Sequence, residues 1–453
     1  MKLDAPAIDN IEFDLNSRHE LEPILMALKH VYENPRLLKK VLKLIAKDVL
    51  GDSNDRLGSP GLRYWEILVL AAVRIGCALN YDALLDLANE HRKLRRMPGV
   101  GEWENTRYAR STLQENLAKL TEETFREISN LIVAEGHQLV PKAIEKVRGD
   151  SVVVQTNIHH PTDANLVIDG VRKVVSFAKK LGQLFSVTNW RQTNYQHKKV
   201  KQLHRQIQQA TRSKKATQQA RIKPLYNEFI TAAVGIVTQA FDFKENLQLD
   251  SLPADNARQW VTKLADELDF YMAATLYVCD LAERRVLNRE DIPHAKKIFS
   301  LFETHTEMIN RGKSPYAWEF GHLLHLVEDQ AHFMVDFKIL ENGITEQDIL
   351  LPQMRKLQRR SKNKIKAASF DQGFYTPANL KGLQEIVETA CLPPKGRPSE
   401  EVKERQSTPA YRAARRRHAG IESAIHALVW GNGLARCPDK GLSGYRRYVA
   451  LVV

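Results

Sequence analysis

Apolar residues recur at helical spacing through the first third of the chain. In RHELEPILMALKHVYENPRLLKKVLKLIAKDV, Leu21, Ile24, Leu25, Leu28 and Val31, then Leu37, Leu38, Val41, Leu42 and Ile45, fall mostly three and four positions apart. GLRYWEILVLAAVRIGCALNYDALLDLANEHRKL keeps the period, so helices are expected from residue 18 to about 140 with no strand among them. Ser111 followed by Gln114 reads as a capping box opening the helix STLQENLAKL. From 143 to 156 the pattern changes to a strand. There Asp150 stands before the β-branched run Val152, Val153 and Val154, which breaks at Thr156, Asn157 and a Pro161 turn. A long helical block follows, from about 176 to 312, with Phe229, Ala232, Val234, Val237, Trp260, Leu264, Leu268, Tyr271, Leu276 and Leu281 as core candidates. Strand signals return in AWEFGHLLHLVEDQAHFMVDFKILENG, as two strands over about 317–327 and 332–340 joined by a polar turn at Glu328, Asp329 and Gln330. Next come an amphipathic helix in GITEQDILLPQMRKLQRR, a short apolar strand ending on Asp371 and a helix started by Pro377. One more short strand in EIVETACLPPKGRPS and a last long helix over about 409–430 complete the order.

That order, a strand, inserted helices, two strands, then alternating helices and strands, is a mixed α/β arrangement. It matches a ribonuclease-H-like mixed sheet core with an all-helical N-terminal domain and a large helical insertion after the first core strand. The corresponding division is 1–140 for the N-terminal domain, 141–176 and 313–453 for the two parts of the catalytic domain, and 177–312 for the insertion. With 453 residues and 43% hydrophobic content, such cores are within reach of the chain.

Charge narrows the partners. Lys and Arg outnumber Asp and Glu by 67 to 54, giving +13 and a pI near 9.4, which favours a polyanion over small acidic-surface chemistry. Between Asp169 and Glu228 there is no acidic residue and there are fourteen Lys or Arg, among them Lys198, Lys199, Lys201, Arg205, Arg212, Lys214, Lys215, Arg221 and Lys223. Trp190, Tyr195, His197 and His204 interleave with them, as on a surface that tracks phosphates; the plain alternative is a solvated basic segment. A helix at 81–91, a basic loop and the helix from Ser111 have the layout of a helix-turn-helix variant, set against a generic bundle. Cys77, Cys279, Cys391 and Cys437 form no CxxC pair, which argues against zinc or a disulfide framework. The N-terminus is polar and no apolar run approaches the length of a span, so a cytoplasmic protein without a membrane segment is expected.

Three carboxylates stand at points where chemistry is possible: Asp150 on the first strand, Asp371 at the end of a later one, and Glu422 on the final helix. Ala414, Ile421, Ile425 and Leu428 form that helix's core stripe, while His418, Glu422 and His426 repeat every four residues beside it. Carboxylates on neighbouring strands and an apposed helix suit hard divalent ions. Any one of them alone reads as a cap or a surface acid. HxxxExxxH is not the HExxH zinc spacing. His159, His160, Asp163 and Asp169 lie in or after a turn, NIHHPTD, whose side chains are suited to bonding the backbone.

DSVVVQTNIHHPTDANLVIDGVR, KKIFSLFETHTEMINRGKSPYAWEFGHLLHLVEDQAHFMVDF, SFDQGFYTPANL and RRHAGIESAIHALVWGNGLARCPDKGLSGYRRYVAL resemble the ordered blocks of bacterial insertion-sequence transposases of the DDE superfamily. The N-terminal helices resemble their DNA-binding domain. The resemblance implies that Asp150, Asp371 and Glu422 are the Asp-Asp-Glu triad, binding two Mg²⁺ or Mn²⁺ ions per active site. It implies cleavage and strand transfer of double-stranded DNA, with terminal inverted repeats and target as substrates, and a homodimer or higher multimer on DNA. A catalytically inactive DNA-binding derivative and a nuclease on the same fold are the alternatives. Some related transposases carry Tyr-x2-Arg-x3-Glu-x6-Lys around the glutamate; here Arg415, His418, Glu422 and Val429 stand at those positions. Arg415, Arg416 and His418 are expected at phosphates. Such transposases usually continue the apolar run in which Val453 stands.

Overall fold

The computed structural model describes residues 8, 11–14, 16–51, 61–101, 104–185, 193–247, 256–312, 317–341, 343–396 and 399–453. Trp190 lies outside them. The chain divides into two compact units, one of Met1–Asn157 with Glu307–Val453 and one of Ile158–Thr306. The first unit opens with α1 (Leu21–Glu33), α2 (Pro35–Leu50), α3 (Tyr64–Gly76), α4 (Tyr81–Glu90), α5 (Arg92–Arg96), α6 (Arg110–Ala118), α7 (Glu122–Leu139) and β1 (Lys146–Gln155). The second holds α8 (Asp163–Leu184), α9 (Thr193–Arg212), α10 (Ala216–Ala220), α11 (Ile222–Glu245) and α12 (Asn256–Ala282). The first then resumes with β2 (Glu307–Asn310), β3 (Trp318–Asp329), β4 (Met334–Leu340), α13 (Glu346–Arg360), β5 (Ala367–Phe370), α14 (Pro377–Ile386) and β6 (Thr389–Cys391). It closes with α15 (Glu400–Ser407), α16 (Pro409–His418), α17 (Gly420–His426) and α18 (Gly441–Val452).

Local chemistry starts several of these elements. Asn34 accepts from the Leu37 amide with Pro35 in the first turn of α2, Thr376 and Pro377 do the same for α14, and Thr345 and Asp348 cap α13 reciprocally. The six strands form one mixed sheet. β1 is its centre: it runs antiparallel to β3, with Ser151 opposite His325, and parallel to β5, with Gly149 opposite Phe370. β5 continues in parallel to β6, and β3 pairs antiparallel with both β2 and β4. Gly321 of β3 is required by close approach, because a Cβ there would lie 2.0 Å from the Val154 carbonyl oxygen.

Side chains alternate across the sheet, so each face has its own core. On one face Val147, Val327, Ala368 and Phe370 pack against Ile349, Leu350, Met354 and Leu357 of α13 and Leu380 and Leu383 of α14. On the other, Val154, Leu324 and Leu326 join Phe337 and Ile339, the helix residues Leu25, Val41, Ile67, Leu70 and Phe125, and Tyr445 and Val449 of α18. The described helices α1–α7 therefore share a core with the sheet. Tyr445 Oη donates to the Val154 carbonyl at 2.8 Å, which ties the last helix to β1.

The second unit is a helical bundle centred on Val167, Val171 and Val174 of α8, Leu203 and Ile207 of α9, Phe229 and Ile236 of α11 and Leu268 of α12. α8 and α12 meet at Gly170, where a Cβ would fall 2.2 Å from Thr275 Oγ1. This unit runs from Ile158 to Thr306, where the sequence suggested 177 to 312.

Other expectations also need correction. β2 lies within the stretch read as helical. Glu328 and Asp329, read as a turn, are the buried end of β3, because Arg148 and His137 partner them. α6 starts at Arg110 with Ala109 at its cap position and no side-chain cap, and Gln114 instead accepts from Arg110 Nη1 at 3.3 Å. The last long helix runs as α16 and α17 with one turn residue between them, Ala419, whose backbone stays helical. Residues 143–145 form a 3-10 turn before β1 begins.

The N-terminal helices are locked to the C-terminal segment by Arg74 and Asp439, 4% and 9% exposed, whose guanidinium and carboxylate bond directly. Arg447 reaches Asp439 at 3.4 Å, and Tyr81 lies under the Arg74 guanidinium, 4.1 Å from centroid to Cζ. Arg74→Met should cost about 3 kcal/mol in urea denaturation because it strips a buried carboxylate of its main partner, and Asp439→Leu added to it should recover most of that. A loss from Arg74→Met below about 0.5 kcal/mol, the range of an exposed pair, would contradict this role.

Candidate active site

β1 projects Arg148, Asp150, Val152 and Val154 to one face. The parallel register runs from Lys146 opposite Ala367 to Gly149 opposite Phe370, so the next position on each strand is Asp150 and Asp371. Asp150 therefore lies in the middle of β1, not at its end, beside the point where β5 ends and Asp371 begins the following turn. Asp150 is half-buried and its Oδ1 accepts from the Ser151 amide at 2.7 Å. Burial pushes its carboxyl up to about 6, with the charges of Asp371 and Glu346 adding to the rise, while the Ser151 amide and Arg311 oppose it. Asp371 is more open, its side chain 54% exposed, with Arg415 Nη1 3.9 Å from Oδ1.

Glu346, at the first position of α13, is a third acid near the pair that sequence reasoning missed. Its half-buried carboxylate comes within 2.5 Å of where a Cβ of Gly373 would stand, so a larger residue there would push the Glu346 side chain aside. Gln347 Nε2 donates to the Gly373 carbonyl at 3.3 Å, and Asn379 Nδ2 bonds the carbonyls of Gln347 and Phe374 at 2.8 and 3.0 Å, which pins α13 to this loop. An acid in a first helical turn ordinarily reads as a dipole partner.

α16 and α17 cover the Asp150 face of the sheet. His418 is 8% exposed, so it faces the strands, hydrogen-bonded to the Ser369 backbone; burial and the neighbouring Arg415 hold its imidazole below the usual range. It is therefore not presented to a phosphate as expected. Gly420 lies over Arg148, whose Nη1 would be 2.2 Å from a Cβ there. Glu422, two residues on, and His426 are exposed, and among the described residues the Glu422 carboxylate makes no hydrogen bond or ion pair. His418 is buried and Glu422 exposed, so the two do not share the face that their spacing suggested. Arg415 and Arg416 are exposed and line, with Arg412 and Tyr411, an open cavity of about 630 Å³.

Within the second unit, Val200, Leu203, Ile207 and Ala210 of α9 are buried, and Lys198, Lys201, Arg205 and Arg212 form an exposed stripe on the opposite side. Lys199 pairs with Glu228 at 3.3 Å, and Lys214 and Lys215 are exposed in the link to α10. The NIHHPTD turn is built as read: Thr162 accepts from the Asn165 amide at 3.2 Å and Asn165 Nδ2 donates to the His160 carbonyl at 2.9 Å. Asp169 pairs with His159 and Arg172, both at 3.2 Å, and Asp163 with Arg285 at 2.6 Å. In the basic loop of the first unit, Arg95 donates to the carbonyls of Asn89, Glu104 and Thr106, while Arg107 pairs with Glu90 and Arg110 with Asp82. These cations hold the loop itself.

Asp150, Asp371 and Glu346 offer hard oxygen donors and an excess of negative charge that a divalent cation would relieve. Among the described residues, no three His, Cys, Asp or Glu side chains are gathered closely enough to hold an ion by themselves. The pair accordingly fits part of a metal shell, and a third protein ligand has to approach.

A carboxyl raised to about 6 in the folded protein favours folding at low pH and disfavours it as the pH climbs from the unfolded value through 6. Asp150→Asn should therefore raise stability by about 1–3 kcal/mol at pH 8 without divalent metal, and the gain should vanish below about pH 4. Urea denaturation at the two pH values checks this, and destabilisation at pH 8 would contradict it. No protein-family model matches the chain, and no match is found among curated proteins or solved structures, so the roles of these residues rest on their geometry.

Proposed function

We propose that this chain is a DNA transposase that cleaves the ends of an insertion element and joins them to target DNA in a metal-dependent reaction. The observation that carries the proposal is the juxtaposition of Asp150, in the middle of β1, and Asp371, directly after the end of the parallel neighbour β5. The strand arrangement supports it: a central β1 flanked by antiparallel β3 and parallel β5, with β4 and β6 outside, is the order of a ribonuclease-H-like core. The exposed cationic stripe of α9 supports a polyanionic substrate.

Asp150 and Asp371 would hold Mg²⁺ or Mn²⁺ as oxygen donors, with Glu422 of α17 as the third carboxylate. Bound divalent ions supply Lewis-acid stabilisation of the charge on the reacting phosphate. In cleavage, a water oxygen bonds to phosphorus and the P–O bond to the element's 3′-oxygen breaks, leaving a 3′-hydroxyl. In joining, that 3′-hydroxyl bonds to a target phosphorus and the target's own 3′-oxygen leaves. Arg415 and Arg416 would hold phosphate near Asp371, and Lys198, Lys201, Arg205 and Arg212 would track the DNA backbone. A homodimer on paired ends is part of the proposal. One observation favours a second reading, a DNA-binding derivative without chemistry: the Glu422 carboxylate is exposed and, among the described residues, unpartnered.

The test incubates purified protein and Mg²⁺ with labelled duplex from the DNA flanking its gene. Joined product that disappears in Asp150→Ala, Asp371→Ala and Glu422→Gln is expected. Binding without cleavage supports the second reading, cutting without joining a nuclease, and full joining by Asp150→Ala would overturn the site. In a separate binding titration, replacing Lys198, Lys201 and Arg205 by Ala should flatten the log–log salt dependence by about 0.9 for each DNA phosphate that these side chains neutralise. An unchanged slope would remove α9 from the DNA surface.

A further inference from the structure

His325 lies in β3 opposite Ser151 and is 1% exposed, among the most deeply buried polar side chains of the sheet. Its Nδ1 is 3.1 Å from the carbonyl oxygen of Asp150. A carbonyl only accepts, so Nδ1 carries the hydrogen and donates it there, with Ser151 Oγ 3.5 Å from the same nitrogen. The rest of the ring packs on Phe374 and Phe370, with centroids 4.7 and 5.9 Å away. Phe370 directly precedes Asp371, and Phe374 closes the short turn that follows it. One side chain therefore touches the backbone of the first aspartate and both aromatic neighbours of the second.

Space for this contact is made at Gly149, where a Cβ would stand 2.4 Å from Phe370 and 2.8 Å from His325. The arrangement is not the one packing alone would choose. His325 Nε2 is buried with no hydrogen-bond partner, whereas leucine would fill the same apolar pocket without stranding a polar atom. What histidine adds is the donor to Asp150.

We infer that His325 is a positioning residue that fixes the separation of Asp150 and Asp371, by hydrogen bonding to the main chain of one and wedging the aromatic residues that flank the other. This rests on the reading of the two aspartates as metal ligands. The ring would act on metal affinity without touching metal or DNA, as groups behind metal ligands generally do.

The test compares His325→Leu, which keeps apolar volume and loses the donor, with His325→Asn, which keeps a donor in reach of the Asp150 carbonyl. Mn²⁺ binding is followed by electron paramagnetic resonance, the Mg²⁺ requirement by the concentration giving half-maximal cleavage, and folding by thermal denaturation. His325→Leu should melt at or above the wild-type temperature yet bind Mn²⁺ about tenfold more weakly and need correspondingly more Mg²⁺, and His325→Asn should recover most of the loss. If His325→Leu does not fold, His325→Phe, which also lacks the donor, is read in the same way. Wild-type metal dependence in the folded donor-less variant would overturn the inference. Asp150→Asn serves as the control. If it binds Mn²⁺ like the wild type, the metal-site reading itself fails; if it loses binding while the donor-less variant does not, only the role of His325 fails.

Discussion

Arg148 is the constraint on which the arrangement around the sheet depends. The residue is 6% exposed, and a charge so placed must be paired or it opposes folding. β3 supplies Glu328, fully buried, whose Oε2 accepts from Arg148 Nε at 2.5 Å and whose Oε1 is bonded by His332 at 2.8 Å. The helices above supply the Arg417 carbonyl, 2.6 Å from Nη1, and the bare face of Gly420. β1, β3 and the α16–α17 pair are thus joined by one side chain two residues before Asp150. Any chain path that failed to bring positions 148, 328 and 417 together would leave that charge stranded.

The first unit holds acids that are paired by cations or imidazoles and one that is not. Glu328, Asp329, Asp336 and Asp439 are all buried and all answered by cations or imidazoles, from Arg148, His137, Arg126 with Arg360, and Arg74 with Arg447. In the second unit Asp163 and Asp169 are answered in the same way. Among the described residues Asp150 forms no ion pair: it is half-buried and lies in the field of Asp371 and Glu346, opposed by the Ser151 amide and the charge of Arg311.

Much of the fold was legible because it is written in local periods. The helix of α13, the strand ending before Asp371 and the Pro377 start of α14 follow from capping residues and apolar spacing that need no distant partner. What could not be read depends on partners far along the chain. Glu328 and Asp329 look like a turn until Arg148 and His137, 180 and 192 positions away, are seen to neutralise them. β2 is only four residues long and exists because β3 offers an edge. His418 and Glu422 stand four positions apart, yet the sheet buries the first and leaves the second exposed. Of the candidate site, the two aspartates were visible as acids flanking apolar strands, while Glu346 is seen only once folding brings its charge near Asp150.

If Asp150 and Asp371 together form a divalent-cation site that acts on DNA, the ion itself must respond to both the second aspartate and the nucleic acid. Mn²⁺ binding to the full-length protein, with and without duplex DNA, can be read by electron paramagnetic resonance on the wild type and on Asp371→Asn. Saturable binding near neutral pH that tightens with DNA and is lost in Asp371→Asn is expected. Equal Mn²⁺ binding by both proteins, with DNA present, would contradict the site.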